Sequence, residues 1–326
     1  MIISRTPLRV SLFGGGSDLP AYYRRHGGAV LSTAIDKAVY VTVTRKFDDA
    51  VRVSYSRTEE VSHAREVEHP LVHEGLVHMG IEGGIEITSV ADIPAKGTGL
   101  GSSSAFTVGL LNALHAFQGR TVGAEQLARE ACHIEIERCG EPIGKQDQYA
   151  AAYGGLNFIR FNPDETVEVK KVICAAGVLE ELQRHLLFFY TGTTRSASAL
   201  LQEQSVAMAR PGEQSDGAGR LADMAETAYR HLCDGAVAAL GPLLHEAWRI
   251  KRRMNSGVTN RSIDAAYDAA MAAGAEGGKL LGAGGGGFLM FMAPPERHDG
   301  IRAALSALRE TPMRFAPQGS NIIFVH

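Results

Sequence analysis

The chain has little of what marks secreted, metal-stapled or membrane proteins. Only four of its 326 residues are cysteine, at Cys132, Cys139, Cys174 and Cys233. They form no CxxC pair and no zinc spacing, which excludes a disulfide scaffold or zinc finger and predicts reduced, mostly structural thiols in a cytoplasmic protein. No apolar run approaches the ~20 residues that span a bilayer. Met1–Arg5 lacks the apolar segment of a signal peptide and reads as an opening strand. A net charge of −3 supplies no global field for nucleic acid or an anionic membrane. No repeat or low-complexity tract interrupts the chain. His26, His133 and the other histidines have no ligand-like spacing. A Walker A loop is missing as well: Gly101 is followed by Ser102, not lysine. The same serine stands where a dinucleotide-binding turn needs its third glycine.

What is present is a hydrophobic fraction of 45%, ample for two domains or one large one. One stretch stands out, Pro94-Ala95-Lys96-Gly97-Thr98-Gly99-Leu100-Gly101-Ser102-Ser103-Ser104-Ala105. It lies between a strand-like run, Ile85–Val90, and a helix-like run, Phe106–Phe117. Glycines at alternate positions let backbone N–H groups converge. The serines fall where a helix begins, with unpartnered donors and a positive dipole end. Such a loop cradles polyphosphate, so Lys96, Gly97, Thr98, Gly99, Leu100, Gly101, Ser102, Ser103 and Ser104 are the candidate nucleotide contacts. The alternative is a glycine turn capped by serine.

Strands are predicted at Ala29–Ala34, Val39–Thr44, Val51–Tyr55, Ile85–Val90, Leu156–Phe161, Thr166–Ile173, His185–Tyr190, Phe288–Met292 and Asn321–Val325. Helices are predicted at Ser103–Phe117, Ala124–Arg138, Leu221–Ala239, Pro242–Asn255 and Ser262–Ala273. The polar, glycine-rich Ala209–Arg220 reads as a mobile loop. The mixed order of elements argues for α+β rather than a doubly wound sheet. A boundary near Ala175–Glu181 divides the chain into units 1–175 and 176–326.

On the helix Ala124–Arg138, Ala128, Ala131, Cys132, Glu135 and Cys139 share an apolar face, and Gln126, Glu130, His133 and Glu137 a polar one. An inward carboxylate needs a cation or strong donors, so Glu135 is the better metal ligand and Glu137 is solvated. A buried salt bridge is the alternative for Glu135. Asp147 suits a base that reaches an acceptor hydroxyl, with Lys145 two residues away to keep it ionised. It could also cap the following helix. The run Gly282–Gly287 is backbone without side chains, able to approach phosphates and the Gly97–Ser104 loop, or else a flexible hairpin.

The Gly97–Ser104 loop resembles the second motif of the GHMP small-molecule kinases. Their first motif is matched by Pro7-Leu8-Arg9-Val10-Ser11-Leu12-Phe13-Gly14-Gly15-Gly16-Ser17-Asp18, and their third by Leu281-Gly282-Ala283-Gly284-Gly285-Gly286-Gly287-Phe288. The three occur in order across nearly the whole chain. Within the family the chain resembles the D-glycero-D-manno-heptose 7-phosphate kinases. That likeness rests on Gly14–Pro20, Gly144-Lys145-Gln146-Asp147-Gln148-Tyr149 and Tyr190-Thr191-Gly192-Thr193-Thr194-Arg195-Ser196-Ala197. Galactokinases carry Gly-Glu-His where this chain has Gly14–Gly16, which argues against galactose.

The resemblance implies an S5-like N-terminal domain and a ferredoxin-like C-terminal domain with the active site between them, using ATP and Mg2+. It implies that Ser103 and Glu135 hold the metal; Ser102 and Ser104 cap the helix or touch phosphate, and a one-residue ambiguity stays open. It implies Asp147 as base or orienter, Arg9 as stabiliser of the transferred group, and Asp18 as acceptor from sugar hydroxyls beside Gly15, Gly16 and Ser17. The alternatives are a strand-edge ion pair for Arg9 and a turn residue for Asp18. For the distal phosphate of the acceptor, Arg195, with Thr191 and Gly192 around it, leads over Arg24, Arg25, Lys37, Lys251 and Arg253. The implied product is a heptose 1,7-bisphosphate for nucleotide-activated heptose in capsule, S-layer or lipopolysaccharide synthesis. A kinase for an unphosphorylated sugar such as fucose, and a silent sugar and nucleotide sensor, are the rival readings. The implied partners are a sugar phosphate and ATP, with neither nucleic acid nor membrane, and homo-oligomerisation is left open.

Overall fold

The computed structural model describes residues 1–94, 97–193, 198–209 and 212–326. The chain opens with β1 (Ile2–Phe13), α1 (Pro20–His26), β2 (Gly28–Arg45), β3 (Val51–Ser54) and β4 (Thr58–Val61). Then come α2 (Pro70–Met79), β5 (Ile85–Ala91), α3 (Ser102–Phe117), α4 (Ala124–Cys132), a π-helical turn His133–Arg138 and α5 (Gln146–Tyr153). The hairpin β6 (Leu156–Phe161) and β7 (Val167–Lys171) completes the first half. The second half holds α6 (Val178–Arg184), β8 (Leu186–Tyr190), α7 (Ser198–Met208), α8 (Glu213–Cys233), α9 (Leu240–Met254) and α10 (Arg261–Ala272). It ends with β9 (Gly277–Leu280), β10 (Phe288–Met292), α11 (His298–Ala304), β11 (Arg309–Glu310) and β12 (Asn321–Val325). The arrangement is α+β.

Among the described residues eight strands form the first sheet, in the order β12-β1-β2-β5-β3-β4, with β6 paired to the start of β2 and β7 to β6. The two strands expected at 29–34 and 39–44 are one strand of 18 residues. Pro7 faces Ala38 but Arg9 faces Ala34, so three residues of β2 bulge opposite Leu8. The bulge absorbs the polar Asp36-Lys37 pair that looks like a turn in the sequence. It also fixes where Arg9 emerges. β12 returns from the second half to pair with β1, which leaves β1 an interior strand.

α3 lies across β1 and β2. Its Gly109 permits the approach: a Cβ there would stand 2.7 Å from Thr6 Oγ1. Ser4 Oγ donates to the Gly109 carbonyl at 2.8 Å, satisfying a buried hydroxyl in the same seam. Residues 213–220, expected as a mobile loop, are the first turns of α8. Their glycines serve packing, not mobility. A Cβ on Gly217 would stand 2.6 Å from Met254 Sδ, and one on Gly219 2.9 Å from the Tyr22 hydroxyl.

The second sheet runs β11-β8-β10-β9 and is antiparallel throughout. β10 reads Phe-Leu-Met-Phe-Met without a polar residue because both its faces are buried. Phe288, Met290 and Met292 enter the core shared with the first sheet, while Leu289 and Phe291 enter a second core with Trp248 and Tyr267. All four cysteines are free thiols. Among the described residues no helix is long and apolar enough to cross a membrane.

The Gly109 seam gives a test in which packing opposes propensity. Alanine is the better helix former by about 1 kcal/mol, yet overpacking against Thr6 costs about 1–3 kcal/mol. Gly109→Ala is therefore expected to lower the midpoint of thermal unfolding; an unchanged or higher midpoint would contradict the close packing of α3 on β1.

Candidate active site

Arg9 leaves the middle of β1 and is 4% exposed. Its Nε and Nη2 donate to the two carboxylate oxygens of Asp147, each at 2.7 Å. Nη1 donates to the Gly99 carbonyl at 2.6 Å, and the backbone N–H of Arg9 donates to Leu100 O at 3.0 Å. Asp147 lies in the first turn of α5, whose N-cap is Lys145 with no side-chain cap, so it does not cap that helix. Lys145, the expected neighbour of Asp147, makes its contacts elsewhere. Its Nζ donates to Glu165 Oε2 at 2.5 Å and sits 4.9 Å over the Tyr23 ring. Glu165 also accepts from the Tyr23 hydroxyl and Arg24 Nε, which holds its carboxyl down at about 2 despite partial burial. The counter-ion of Asp147 is Arg9; there β1 pairs with β2 on one side, β12 reaching only Ile2–Arg5, and the open side is closed by the loop before α3 through Leu100 O.

Asp18 sits opposite this pair, 4% exposed. It accepts from the backbone N–H of Gly16 at 2.9 Å and of Gln146 at 3.3 Å. Burial raises its pKa first, the two N–H donors oppose that, and the Asp147 charge raises it further. Gly144 is glycine for a steric reason: a Cβ there would stand 1.9 Å from Asp18 Oδ2. Gly14 (φ +85) has the same kind of constraint, its Cβ position being 2.0 Å from Ala29 O. Ser17 Oγ is bound to the Gly14 and Ala29 carbonyls and so supports the loop from below. Gly15 and Gly16 remain at its rim.

The loop before α3 places Gly97, Gly99 and Gly101 at φ +72, +76 and +73. Gly101 is the N-cap of α3 and no side chain caps it, so the serines leave its first N–H groups for a ligand. Ser103 Oγ donates to Glu135 Oε1 at 3.0 Å, and Gln148 Nε2 to Glu135 Oε2 at 2.5 Å. Ser104 also bonds Glu135, while Ser102 Oγ lies 3.5 Å from Thr98 Oγ1. Glu135 is fully buried, and burial pushes its carboxyl up to about 7. The helix expected over 124–138 changes to a π turn at His133, with Cys139 N bonded to Ile134 O, and Glu135 lies in that turn. Among the described residues no Lys, Arg or His pairs with Glu135, so the buried salt bridge is not what holds it. A hydroxyl and a buried carboxylate are hard oxygen donors, and they fit Mg2+ completed by phosphate oxygens. Glu137 is exposed.

The third glycine run lies directly on the second. A Cβ on Gly282 would stand 2.4 Å from the Gly99 Cα, one on Gly99 2.3 Å from Leu281 O, and one on Gly287 2.5 Å from Thr98 O. Thr191 is tied to this run, with its hydroxyl on the Gly287 carbonyl at 2.9 Å. Gly192 is exposed beside it, and no hydrogen bond among the described residues joins either to Asp18. Lys96 and Arg195 lie outside the described residues. Of the weaker phosphate candidates, Arg24 pairs with Glu165, Lys37 with Asp36, and Arg25 with the Ala21 and Met208 carbonyls. Arg253 is exposed. Two residues went unread in the sequence: Gln148, one place after Asp147, and Lys279, in the strand before the third glycine run.

Two family models match the chain, the GHMP kinases N-terminal domain at residues 71–155 and the GHMP kinases C-terminal domain at 228–311. A D-glycero-alpha-D-manno-heptose 7-phosphate kinase of Campylobacter jejuni is 27% identical, covering 93% of each chain. A bifunctional fucokinase/GDP-fucose pyrophosphorylase of Arabidopsis thaliana is 25% identical over 88% of this chain and 29% of that protein. The crystal structure of a D-glycero-D-manno-heptose 1-phosphate kinase from Bacteroides thetaiotaomicron superposes with a TM-score of 0.81 over 100% of both chains at 24% identity.

Two outcomes test this geometry. Arg9→Ala is expected to lower kcat by about 10²-fold or more, as loss of a donor to developing charge does, whereas Lys145→Ala stays within about 5-fold, being a partly exposed pair with Glu165. Equal losses would return Lys145 to the catalytic centre. The second outcome concerns Glu135. Its folded carboxyl titrates near 7 and the unfolded one near 4.3, so without a cation its charge opposes folding fully above pH 7. The opposition fades as pH falls through 7 and is gone below the unfolded value. Without magnesium, Glu135→Gln is expected to raise the unfolding midpoint at pH 8, with the gain shrinking toward pH 5; a lower midpoint at pH 8 would mean that an unrecognised cation already neutralises the site.

Proposed function

We propose, for a chain that belongs to the GHMP kinase family, that the acceptor is D-glycero-D-manno-heptose 7-phosphate and that its anomeric hydroxyl takes the γ-phosphoryl group of ATP. The chain is a sugar kinase, a phosphotransferase with a hydroxyl acceptor. The observation that carries the reaction is the Arg9–Asp147 pair, set beside the open N-terminus of α3 on one side and Asp18 on the other.

Each residue has a task that its surroundings permit. Both Asp147 oxygens accept from Arg9 and each keeps a lone pair, so the carboxylate takes or orients the acceptor hydroxyl proton. Arg9 has five N–H donors, of which three are engaged. The remaining donors meet charge on the transferred group in direct in-line displacement. Asp18, fixed by two backbone donors, accepts from sugar hydroxyls beside Gly15 and Gly16. The Gly97–Ser104 loop receives the phosphates of ATP. Mg2+, held by Ser103 and Glu135, supplies neutralisation of phosphate charge when bound. The reaction requires ATP, and four free thiols suit the same reducing cytoplasm.

The heptose phosphate is favoured by the relative from Campylobacter jejuni, matched over 93% of each chain, together with Gly14-Gly15-Gly16 in place of Gly-Glu-His. The product, a heptose 1,7-bisphosphate, suits a route to nucleotide-activated heptose for capsule, S-layer or lipopolysaccharide. An unphosphorylated, fucose-type acceptor is the second reading, favoured by the fucokinase relative. A silent sensor is disfavoured, because Arg9, Asp147 and Glu135 are assembled in one site.

ADP release with magnesium-ATP against the heptose 7-phosphate, the unphosphorylated heptose, L-fucose and galactose separates these. The expected result is a new anomeric phosphate by phosphorus NMR with the 7-phosphate alone. Turnover only on an unphosphorylated sugar would overturn the acceptor and keep the kinase. Nucleotide binding without turnover on any of the four would favour the sensor.

A further inference from the structure

The cationic side chains around the cleft divide into those already neutralised and those that are not. Arg9 is matched by Asp147, Arg24 and Lys145 by Glu165, and Lys37 by Asp36. Lys251 and Lys279 have no carboxylate partner among the described residues. Lys251, on α9, donates to the Gly282 carbonyl at 2.8 Å. Lys279, on β9 and 7% exposed, donates to Ser11 O at 2.9 Å and Leu12 O at 3.3 Å. Carbonyl dipoles hold the buried Lys279 and the half-buried Lys251, whose charges repel each other. Burial, then the Arg9 charge, pushes Lys251 down to about 8; burial, then Lys251 and Arg9, pushes Lys279 well below its usual range.

Both lysines line one narrow crevice, together with Gly14, Gly15 and Trp248. Two further donors in this region are buried without a partner, Ser11 Oγ and Trp248 Nε1. Ser11 is 4% exposed, and its Oγ lies 3.3 Å from where a Cβ on Gly15 would stand. The absence of a side chain at Gly15 therefore keeps the crevice open toward the loop that ends in Asp18. Hydrogen-bonded ammonium groups without a carboxylate counter-charge, beside two unpartnered donors, are costly in a low-dielectric setting unless a ligand of opposite charge approaches. Lys251 is also near enough to Asp18 and Arg9 to feel both charges, so the crevice adjoins the acceptor side of the site.

We propose that Lys251, at the mouth of this crevice, grips the anionic group of the acceptor, a phosphate monoester at the end remote from the reacting hydroxyl, with the Lys279 charge behind it; the crevice itself, about 10 Å³, has room for a water and not for the phosphate. The assignment rests on the reading of the acceptor as a phosphorylated sugar. It replaces a search among exposed arginines with two lysines contributed by the second half of the chain. It also gives the kinase a physical means of preferring a phosphorylated sugar. Without the phosphate, the two ammonium groups keep no counter-charge beyond the neighbouring Asp18.

The test is Lys251→Gln with Lys251→Arg as its conservative companion. The expected result for Lys251→Gln is a KM for the sugar phosphate raised about 10-fold or more, with kcat at saturation and the KM for ATP within about 2-fold; Lys251→Arg recovers part of the loss. A fall in kcat at unchanged acceptor KM would overturn the proposal and place Lys251 on the transferred group. No change in either parameter would also overturn it. A second measurement does not depend on the acceptor's identity. Calorimetric titration of inorganic phosphate into protein filled with a magnesium-bound, non-hydrolysable ATP analogue is expected to show binding that Lys251→Gln weakens at least tenfold. Loss of that binding in a protein that ignores heptose 7-phosphate would remove the proposed acceptor and support the anion site. Absence of phosphate binding to the wild-type protein, or equal binding to Lys251→Gln, would remove the site.

Discussion

Arg9 and Asp147 hold each other through two parallel hydrogen bonds of 2.7 Å, and most of the site hangs from that contact. Arg9 belongs to β1, Asp147 to α5, and the third bond of the guanidinium, to Gly99, adds the glycine loop before α3. From Asp147 the connection continues by one residue to Gln148, which donates to the buried Glu135. A planar guanidinium suits this task, because its fork fixes direction as well as distance. Desolvating both groups is costly, and that cost is offset only while the fork stays aligned. The pair therefore sets the relative positions of Asp147, the Gly97–Ser104 loop and Glu135, the groups proposed to direct the hydroxyl, receive phosphate and hold the metal, and fixed charges are most effective when so placed in advance.

The second half of the chain completes this frame through backbone and lysines. Gly99 and Gly282 meet where neither could carry a Cβ, so the third glycine run packs as a wall against the Gly97–Ser104 loop rather than standing as a free hairpin. Behind that wall β10 is buried on both faces, which makes the support stiff. Lys279 reaches from β9 to the carbonyls of Ser11 and Leu12 and thus pins the last turn of β1 before the Gly14–Gly16 loop. β12 closes the circuit by pairing with the opposite end of β1. The strand that carries Arg9 is held along its length by both halves of the molecule.

How much of this was legible in the sequence follows from the range of each interaction. The glycine runs were legible because glycine at those positions answers a steric demand that no other residue meets. Glu135 was legible because a carboxylate on an apolar helix face contradicts its surroundings. The β2 bulge and the start of α8 were not. Asp36-Lys37 and the glycines at 217 and 219 carry turn chemistry, and only their tertiary partners, Leu8, Met254 and Tyr22, convert them to strand and helix. Lys145 looked like the partner of Asp147 because it is near in sequence, yet the helix start turns it toward Glu165, whereas Arg9 arrives from 138 residues away. Lys279 left no signal because its role depends on the carbonyls of another strand.

The three acids of the site illustrate why environment, not residue type, assigns a role. Asp147 has a fixed arginine, Asp18 two backbone N–H groups, and Glu135 only neutral hydroxyl and amide donors. A permanent cation beside Glu135 would stabilise the empty protein and occupy the place that an exchangeable metal needs. A neutral partner beside Asp147 would leave a partly exposed carboxylate free to turn. Serine and glutamine at one carboxylate and arginine at the other suit the proposed roles, leaving Glu135 available to a metal and fixing Asp147 toward an acceptor hydroxyl. Divergent surroundings for neighbouring carboxylates are what separate their functions. Here that separation follows from which strand or helix each partner comes from.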